Sequence, residues 1–271
     1  MSALVLELRG PAPERVDLRG VTPDRLEGLS ARAIGAIEVV AGARRVPLER
    51  LFAISGDAPG ELVLRGATAC VDGIGAGMRT GRIVVEGDAG DHVAQDMRGG
   101  EIVVRGNAGA YAASGMRGGV LRIAGNAGDF LGAVHAGARY GLRGGTVIVH
   151  GSAGERVGER QRRGQILIRG DAGDWLGARM VAGTVMVLGR AGRFAGFGMR
   201  RGSLLLAQPP ASLPGSFNES GRHHLSFLSL YLRSLHALDP AFAALDPART
   251  TVRRFVGDRG CNGKGEVLVW L

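Results

Sequence analysis

The sequence is poor in several residue types that mark common protein classes. Its 271 residues include only two cysteines, Cys70 and Cys261, and a single lysine, Lys264. Two widely separated thiols cannot supply a disulfide framework or a CxxC metal site, so we expect a reducing compartment, the cytoplasm. With only 10 prolines, the chain is neither collagen-like nor a proline-rich disordered segment.

Long apolar runs and aromatic side chains are also scarce. No stretch approaches 18 consecutive apolar residues, the length that a membrane-spanning helix requires. Glu7 and Arg9 lie where a signal peptide would be apolar, so we expect neither export nor membrane insertion. The aromatic residues (8 Phe, 3 Tyr and 2 Trp) are too few for an aromatic core. Apolar residues still make up 45% of the chain, which predicts a sizeable aliphatic core.

Glycine and arginine are the residues in excess. Glycine accounts for 47 of 271 residues, about 17% against a usual share of about 7%. Of the 34 basic residues, 33 are arginine, and the net charge is +9. The preference for arginine over lysine is typical of a GC-rich genome, and the positive charge favours anionic partners.

A repeat of 19 residues organises the middle of the chain. Each copy reads G-x-h-x-h-x-G-x-A-G, where h is Ile, Val or Leu, and the third copy carries a seven-residue insertion within Val134–Leu142. The h positions alternate with period two, which is strand periodicity, and no copy has room for a ten-residue helix. The copies begin at Gly60 (degenerate), Gly81, Gly100, Gly119, Gly145, Gly164, Gly183 and Gly202.

This period predicts an all-β fold, a single-stranded, right-handed parallel β-helix of about seven 19-residue coils. Glycines would form its corners, where the backbone needs left-handed φ values. We predict an N-terminal cap over residues 1–55, with a helix starting at Thr22, and the β-helix over residues 56–207. A C-terminal tail over residues 208–271 should contain a helix at Leu225–Leu238 and a final strand. Small side chains should stack inside one corner: Ala89, Ala108, Ala127, Ala153, Ala172 and Ala191.

Stacking of repeats turns each position into a column with a spacing of about 4.8 Å. The methionine column should fill the core: Met78, Met97, Met116, Leu142, Met180 and Met199, with Gln161 as its exception. The outward strand column is too apolar for a solvated face, so another subunit or the chain's own C-terminal segment should cover it: Val63, Val84, Val103, Arg122, Ile148, Leu167 and Met186. For the aromatic column we favour core packing over a base-stacking platform: His92, Tyr111, Phe130, Trp175 and Phe194, interrupted by Arg156.

The fourth column is cationic, and Val181 is its one gap. Neighbouring charges at this spacing repel by about 1 kcal/mol in water before screening by salt. Two interpretations stay open: a solvated turn that is rich in arginine, or a binding track for an extended polyanion or an acidic partner subunit. Guanidinium groups suit carboxylates in particular. This arginine column consists of Arg79, Arg98, Arg117, Arg143, Arg162 and Arg200.

The sequence offers no catalytic residues and no metal site. Its six histidines share no metal-binding spacing with cysteines or acids. The glycines of Gly73–Gly77 lack the βαβ context of a dinucleotide loop, and Gly257–Gly265 lacks the hydroxyl that a P-loop needs after Lys264. We therefore expect no cofactor bound by this chain. Nucleic acid is possible on charge alone, but aromatics placed in a core argue against it.

Three features of the sequence resemble the C subunit of the formylmethanofuran dehydrogenase family. They are the segment Ala69–Gly109, the later GxAG…M-R-x-G copies and the terminal GDRGCNGKGEVLVW. The resemblance covers nearly the whole chain and extends to the bacterial relative, a formyltransferase/hydrolase complex. Over residues 60–205 the repeat is also similar to the C-terminal β-helix domain of the glutamate synthase large subunit.

The resemblance implies a non-catalytic subunit of a cytoplasmic complex in tetrahydromethanopterin-linked one-carbon metabolism. In that family, amidohydrolase-type and formyltransferase-type chains transfer formyl to a methanofuran-type carrier and hydrolyse it to formate, with metal in the partner subunits. The polyglutamate tail of the carrier is the ligand that the resemblance offers to the arginine column. The alternatives are a subunit of a formylmethanofuran dehydrogenase proper and a glutamate-synthase-like coupling domain. The C-terminal tail resembles that of the dehydrogenase family, and this match and the charge of +9 weigh against the glutamate-synthase-like domain.

Overall fold

The protein is described here by a computed structural model that covers residues 3–10, 14–66 and 68–271. Before the repeats it forms five short strands and three short helices. The strands are β1 (Ala3–Leu8), β2 (Val16–Asp17), β3 (Glu38–Ala41), β4 (Arg44–Pro47) and β5 (Phe52–Ser55). The helices are α1 (Pro23–Leu26), α2 (Ala31–Gly35) and α3 (Leu48–Leu51). The helix predicted at Thr22 thus exists, although the Thr22 hydroxyl does not cap it.

The repeats each contribute one strand. These strands are β6 (Ala58–Arg65), β8 (Arg82–Val85), β9 (Glu101–Val104), β10 (Val120–Ile123), β11 (Arg143–Val149), β12 (Arg163–Ile168), β13 (Thr184–Val187) and β14 (Ser203–Leu206), with the two-residue β7 (Val71–Asp72) between the first two. The C-terminal elements are β15 (Asn218–His224), α4 (Phe227–Leu238), β16 (Thr251–Gly257) and β17 (Gly265–Trp270). Within the described residues, no helix is long and apolar enough to cross a bilayer.

Most of these strands form one large sheet, which confirms the all-β prediction. In the described part of the chain the sheet has 13 strands in the order β15-β16-β17-β14-β13-β12-β11-β10-β9-β8-β6-β1-β5. From β1 to β17 the neighbours are parallel, and only the outermost pairs are antiparallel. The N-terminal and C-terminal segments therefore continue the ladder that the repeats begin.

Equivalent residues of successive repeats are hydrogen-bonding partners. In the strands, Ile102 lies opposite Ile83 on one side and Leu121 on the other. At the alanine corner, Ala89 through Ala191 form isolated parallel bridges from copy to copy. At a third place, the amide of Arg98 donates to the carbonyl of Met78 at 2.7 Å. The full copies from Gly81 to Gly183 are thus bonded to one another at three separate points.

The interior of the stack is aliphatic, as predicted. The inward strand residues, such as Ile83, Ile102 and Leu121, are fully buried, and the corner alanines are 4–7% exposed. The methionine column is also fully buried, and this includes Gln161, whose side-chain amide donates to the carbonyl of Gly164 at 3.0 Å. The prediction of a methionine-filled core is confirmed.

The C-terminal segment of the chain itself covers the later part of the outward strand column, from Arg122 to Met186. Helix α4 begins two residues later than predicted and buries Leu228, Leu232 and Leu235. These leucines belong to a second apolar cluster that also contains Ile148, Leu167, Met186 and Leu205 of the sheet. Of the two coverings expected from the sequence, the structure therefore shows the intramolecular one for this part of the column, while Val63 and Val103 stay half-buried outside the cluster.

A buried carboxylate fixes the end of this helix. Asp239, which is 4% exposed, accepts hydrogen bonds from Arg122 at 2.8 Å and from the Ala241 amide at 2.9 Å. Its Oδ2 also lies 3.1 Å from Nε2 of His150. Burial alone would raise the pKa of Asp239, but the Ala241 amide, His150 and Arg122 outweigh it and hold the pKa below its ordinary value. The ionised carboxylate therefore stabilises the docked C-terminal segment.

Gly119 illustrates why each repeat starts with glycine. Its φ is +85°, and a Cβ there would lie 2.6 Å from the carbonyl oxygen of Gly100 and 2.7 Å from Cε of Met97. We predict that Gly119→Ala lowers the free energy of unfolding by about 2–4 kcal/mol through backbone strain and overpacking. Thermal unfolding checks this. Gly215→Ala is the matched control, because Gly215 has open space around its Cβ position; equal losses would contradict the prediction.

The Asp239 carboxylate predicts a pH dependence of stability. Its pKa is lower in the folded chain than the unfolded value of about 3.9. Its contribution is therefore present above that value and is lost as the pH falls through the folded pKa. Asp239→Asn should cost about 1–3 kcal/mol at pH 7 and progressively less below pH 4. Urea unfolding at several pH values measures this, with exposed Asp246→Asn as control; a pH-independent cost would refute the assignment.

Candidate functional site

The six arginines predicted to form a column stand in register in the structure. The amide of each arginine from Arg98 onward donates to the carbonyl of the buried methionine-column residue one repeat earlier, at 2.7–2.8 Å. The methionine column thus anchors the backbone inside, and the following residue is directed outward. The position is maintained across the gap, because the Val181 amide donates to the Gln161 carbonyl in the same way.

The guanidinium groups of this column are not neutralised by the part of the chain that the structure describes. Arg143 is half-buried and the other five are exposed. In the described residues, no carboxylate forms an ion pair with any of the six. Column charges at this spacing repel one another, and no carboxylate of the described residues relieves this repulsion.

At a different position of the same repeats, arginines are paired with aspartates of the preceding copy. Arg190 and Arg193 lie 2.9 Å and 2.6 Å from the carboxylates of Asp171 and Asp174 in the preceding copy. The Arg190 amide and side chain hold the pKa of Asp171 below its ordinary value, and the Arg193 side chain and amide do the same for Asp174. The repeat can therefore pair its arginines internally, and at the arginine column it does not.

The inserted loop Val134–Leu142 reaches the middle of the column. The Tyr140 ring centroid lies 5.8 Å from the guanidinium carbon of Arg143 and 5.0 Å from that of Arg162. Such cation–π contacts hold the long arginine side chains in place. Near the start of the loop, Nε2 of His135 lies 3.5 Å from Oδ2 of Asp96. The loop therefore contacts the neighbouring repeats and orders two members of the column, Arg143 and Arg162.

A cavity opens at the gap in the column. It has a volume of about 270 Å³ and includes two arginines from the position that follows the column, Arg163 and Arg201. Because valine replaces arginine at position 181, the cavity has arginines around its edge and the apolar side chains of Val181 and Ala182 between them. The lining residues are Arg162, Arg163, Val181, Ala182, Arg200 and Arg201.

The aromatic column corrects one interpretation drawn from the sequence. Its side chains pack on each other at an outer, half-exposed corner and do not lie in the core. Tyr111 stacks on Phe130 at 4.6 Å, and Arg156 fills the break at 5.8 Å from the Phe130 ring. These residues have left-handed φ values near +60°, which turn the side chains outward. Burial among them lowers the pKa of His92.

The described residues contain no group of three or more His, Cys, Asp or Glu that could hold a metal ion. The glycine-rich segment Gly257–Gly265 lies between β16 and β17, where the Lys264 amide donates to the Arg200 carbonyl at 2.7 Å. The backbone of this segment therefore continues the hydrogen bonding between repeats at the end of the arginine column.

Comparisons with known proteins agree with this architecture. A family model described as the GXGXG motif matches residues 135–221. The C subunit of the formyltransferase/hydrolase complex Fhc of Methylorubrum extorquens is 42% identical over 88 residues, or 32% of this chain and 33% of the relative. The C subunit of a tungsten-containing formylmethanofuran dehydrogenase of Methanococcus maripaludis is 29% identical over 34% of this chain and 35% of the relative. These matches span about a third of the length of the curated relatives.

A solved structure extends the likeness to the whole chain. It is the X-ray crystal structure of the formyltransferase/hydrolase complex (FhcABCD) from Methylorubrum extorquens in complex with methylofuran. One chain of it superposes with a TM-score of 0.91 at 40% identity, covering 98% of this chain and 98% of that chain. Identity at this level over the full length shows common descent as well as a common fold. The chain therefore belongs to the family of C subunits of formyltransferase/hydrolase complexes.

Proposed function

We propose that this chain is a non-catalytic, structural and carrier-binding subunit of a cytoplasmic formyltransferase/hydrolase complex. Its partners would be amidohydrolase-type and formyltransferase-type chains, with metal in those partner subunits. They would transfer formyl to a methanofuran-type carrier and hydrolyse it to formate. Support comes from the family membership and from the methylofuran in the similar solved complex.

The proposal includes the finer architecture. The repeats would be successive coils of a right-handed parallel β-helix over residues 56–207, between a cap over residues 1–55 and a tail over residues 208–271. Hydrogen bonding between copies at three separate points supports closed coils. Such a rod is stiff, so side chains at one repeat position keep a fixed spacing of about 4.8 Å.

The unpaired arginine column carries the functional part of the proposal. Its ligand would be the carboxylate-rich tail of the carrier, lying along the axis of the rod. Each carboxylate would accept a charge-assisted hydrogen bond from a guanidinium and relieve repulsion between neighbours. A partly exposed contact of this kind contributes about 0.2–1 kcal/mol, so affinity would come from the number of contacts.

Replacing three exposed members of the column tests this role. In the assembled complex, Arg98→Gln, Arg117→Gln and Arg162→Gln together should raise the KM for a long-tailed carrier about tenfold, since about three weak contacts are lost. A carrier with a truncated tail should be almost unaffected, because its reacting end does not depend on the column. Steady-state kinetics with both carriers measures the difference.

The matched control is Arg190→Gln with Arg193→Gln. These arginines are also exposed and cationic, but each is already paired with an aspartate of the same chain. The control should leave both KM values unchanged. Equal losses for both carriers in the column variant would make the column an assembly surface for an acidic partner. Unchanged kinetics would make it a solvated turn.

The non-catalytic assignment predicts a simple result for the isolated chain. Purified without its partners, it should neither transfer formyl groups nor hydrolyse a formylated carrier. Full activity should return when the partner chains are added. A formate-release assay with and without partners measures this, and turnover by this chain alone would refute the assignment.

A further inference from the structure

A second, larger cavity lies where the repeat loses its regularity. Its volume is about 460 Å³, and it shares only Val181 and Arg200 with the positions of the column. The remaining walls come from the inserted loop, from the position two residues before the column, and from the turn between β16 and β17. The lining residues are Arg139, Tyr140, Arg160, Arg179, Val181, Gly198, Arg200 and Cys261.

Departures from the repeat create this cavity. Val181 stands where the pattern has arginine, and Gly198 presents no side chain beside Arg179. The inserted loop supplies Arg139 and Tyr140, whose ring lies 5.2 Å from the Arg139 guanidinium carbon. Cys261 closes the other side from the C-terminal turn. A regular stack of repeats would present a continuous ridge here, so the cavity is specific to these copies.

The cavity is strongly cationic. Arg139, Arg160, Arg179 and Arg200 contribute four guanidinium groups. Arg179 lies 3.6 Å from the carboxylate of Glu159, which is 7% exposed and is shared with Arg156 at 3.4 Å. In the described chain, Arg139, Arg160 and Arg200 form no ion pair. The positive charge of the cavity therefore exceeds what the described carboxylates neutralise.

We propose that this cavity is a discrete binding site for an oligocarboxylate chain, which it holds at one end of the arginine column. The inference deepens the proposed function and rests on it for the identity of the ligand. The guanidiniums belong to successive repeats about 4.8 Å apart and to the loop, so a compact dianion could reach only some of them. A flexible chain of carboxylates could meet all four and lay its methylene groups on Val181.

The size and walls of the cavity fit such a ligand. A volume of about 460 Å³ falls within the range of about 300–1,000 Å³ that is usual for small-molecule sites. Guanidinium forks bind carboxylates in bidentate geometry, and Tyr140 adds an aromatic wall. A carboxylate tail that lies along the exposed column would meet one arginine per repeat. In the cavity, the same tail would meet arginines from several sides.

Cys261 provides a local readout for binding. It is exposed in the cavity wall, whereas Cys70 is half-buried elsewhere. The full-length chain is treated with N-ethylmaleimide, with and without a ten-residue γ-linked oligoglutamate, and modification of each cysteine is followed by peptide mass spectrometry. We expect oligoglutamate to slow modification of Cys261 about tenfold near saturation and to leave Cys70 unaffected. Absence of protection would overturn the inference.

Variants separate the cavity from the column. Arg160→Gln with Arg179→Gln should raise the oligoglutamate concentration needed for half-protection about tenfold, the loss expected from two charge-assisted contacts. Arg139→Gln, a single change on the exposed loop, should act in the same direction and does not touch the repeats. Arg190→Gln with Arg193→Gln is the charge-matched control and should have no effect. Protection is scored as a ratio within each variant, which removes differences in thiol reactivity.

Each outcome decides between the two proposals. If calorimetry shows that only Arg98→Gln with Arg117→Gln weakens oligoglutamate binding, the column stands and the cavity inference is wrong. If only the cavity variants weaken it, the cavity stands and the column does not bind the tail. If neither set does, both are overturned. Equal protection of Cys261 by inorganic phosphate at the same concentration would overturn the assignment of a chain-like carboxylate ligand.

Discussion

Parallel hydrogen bonding between residues one repeat apart determines which side chains of the stack lie inside and which lie outside. It fixes the register, so that a residue such as Ile102 always faces its equivalents. Close approach of the backbones requires glycine at positions such as Gly119, where a Cβ would meet the previous copy. The same register buries one face of the strands. At the two ends of the repeats, β1 and β17 add further parallel strands to the sheet.

This register also turns a repeated residue type into a line of like charges. In solution, six arginines on a flexible chain would separate; on stacked repeats they are held together, and repulsion between them is part of the folded state. The corner at Asp171 and Arg190 relieves such charge internally. The arginine column does not, so its positive potential is available to an external anion, and its interruption at Val181 opens two cavities beside it.

Period and alternation were enough to predict the all-β fold, the buried methionines and the apolar cover over the later part of the outward column. The sequence did not predict that the aromatic column lies at an outer corner. Tyr111 and its equivalents have positive φ values, which residues other than glycine rarely adopt, so nothing in the sequence indicates this turn. Small polar corner residues were missed too: Asp88 accepts a hydrogen bond from the Asn107 amide at 2.7 Å, a role hidden by the variety of Asp, Asn and Ser there. The larger cavity joins Tyr140 to Cys261, far apart in sequence, and only the folded chain brings them together.

The salt dependence of carrier binding tests most sharply whether arginines held in register bind a chain of carboxylates. Each arginine–carboxylate contact that replaces bound counterions makes the affinity fall further as salt increases. With increasing salt, the dissociation constant of the long-tailed carrier should rise steeply and linearly on logarithmic axes, while that of a tail-truncated carrier should change little. Parallel, shallow dependences for the two carriers would contradict it.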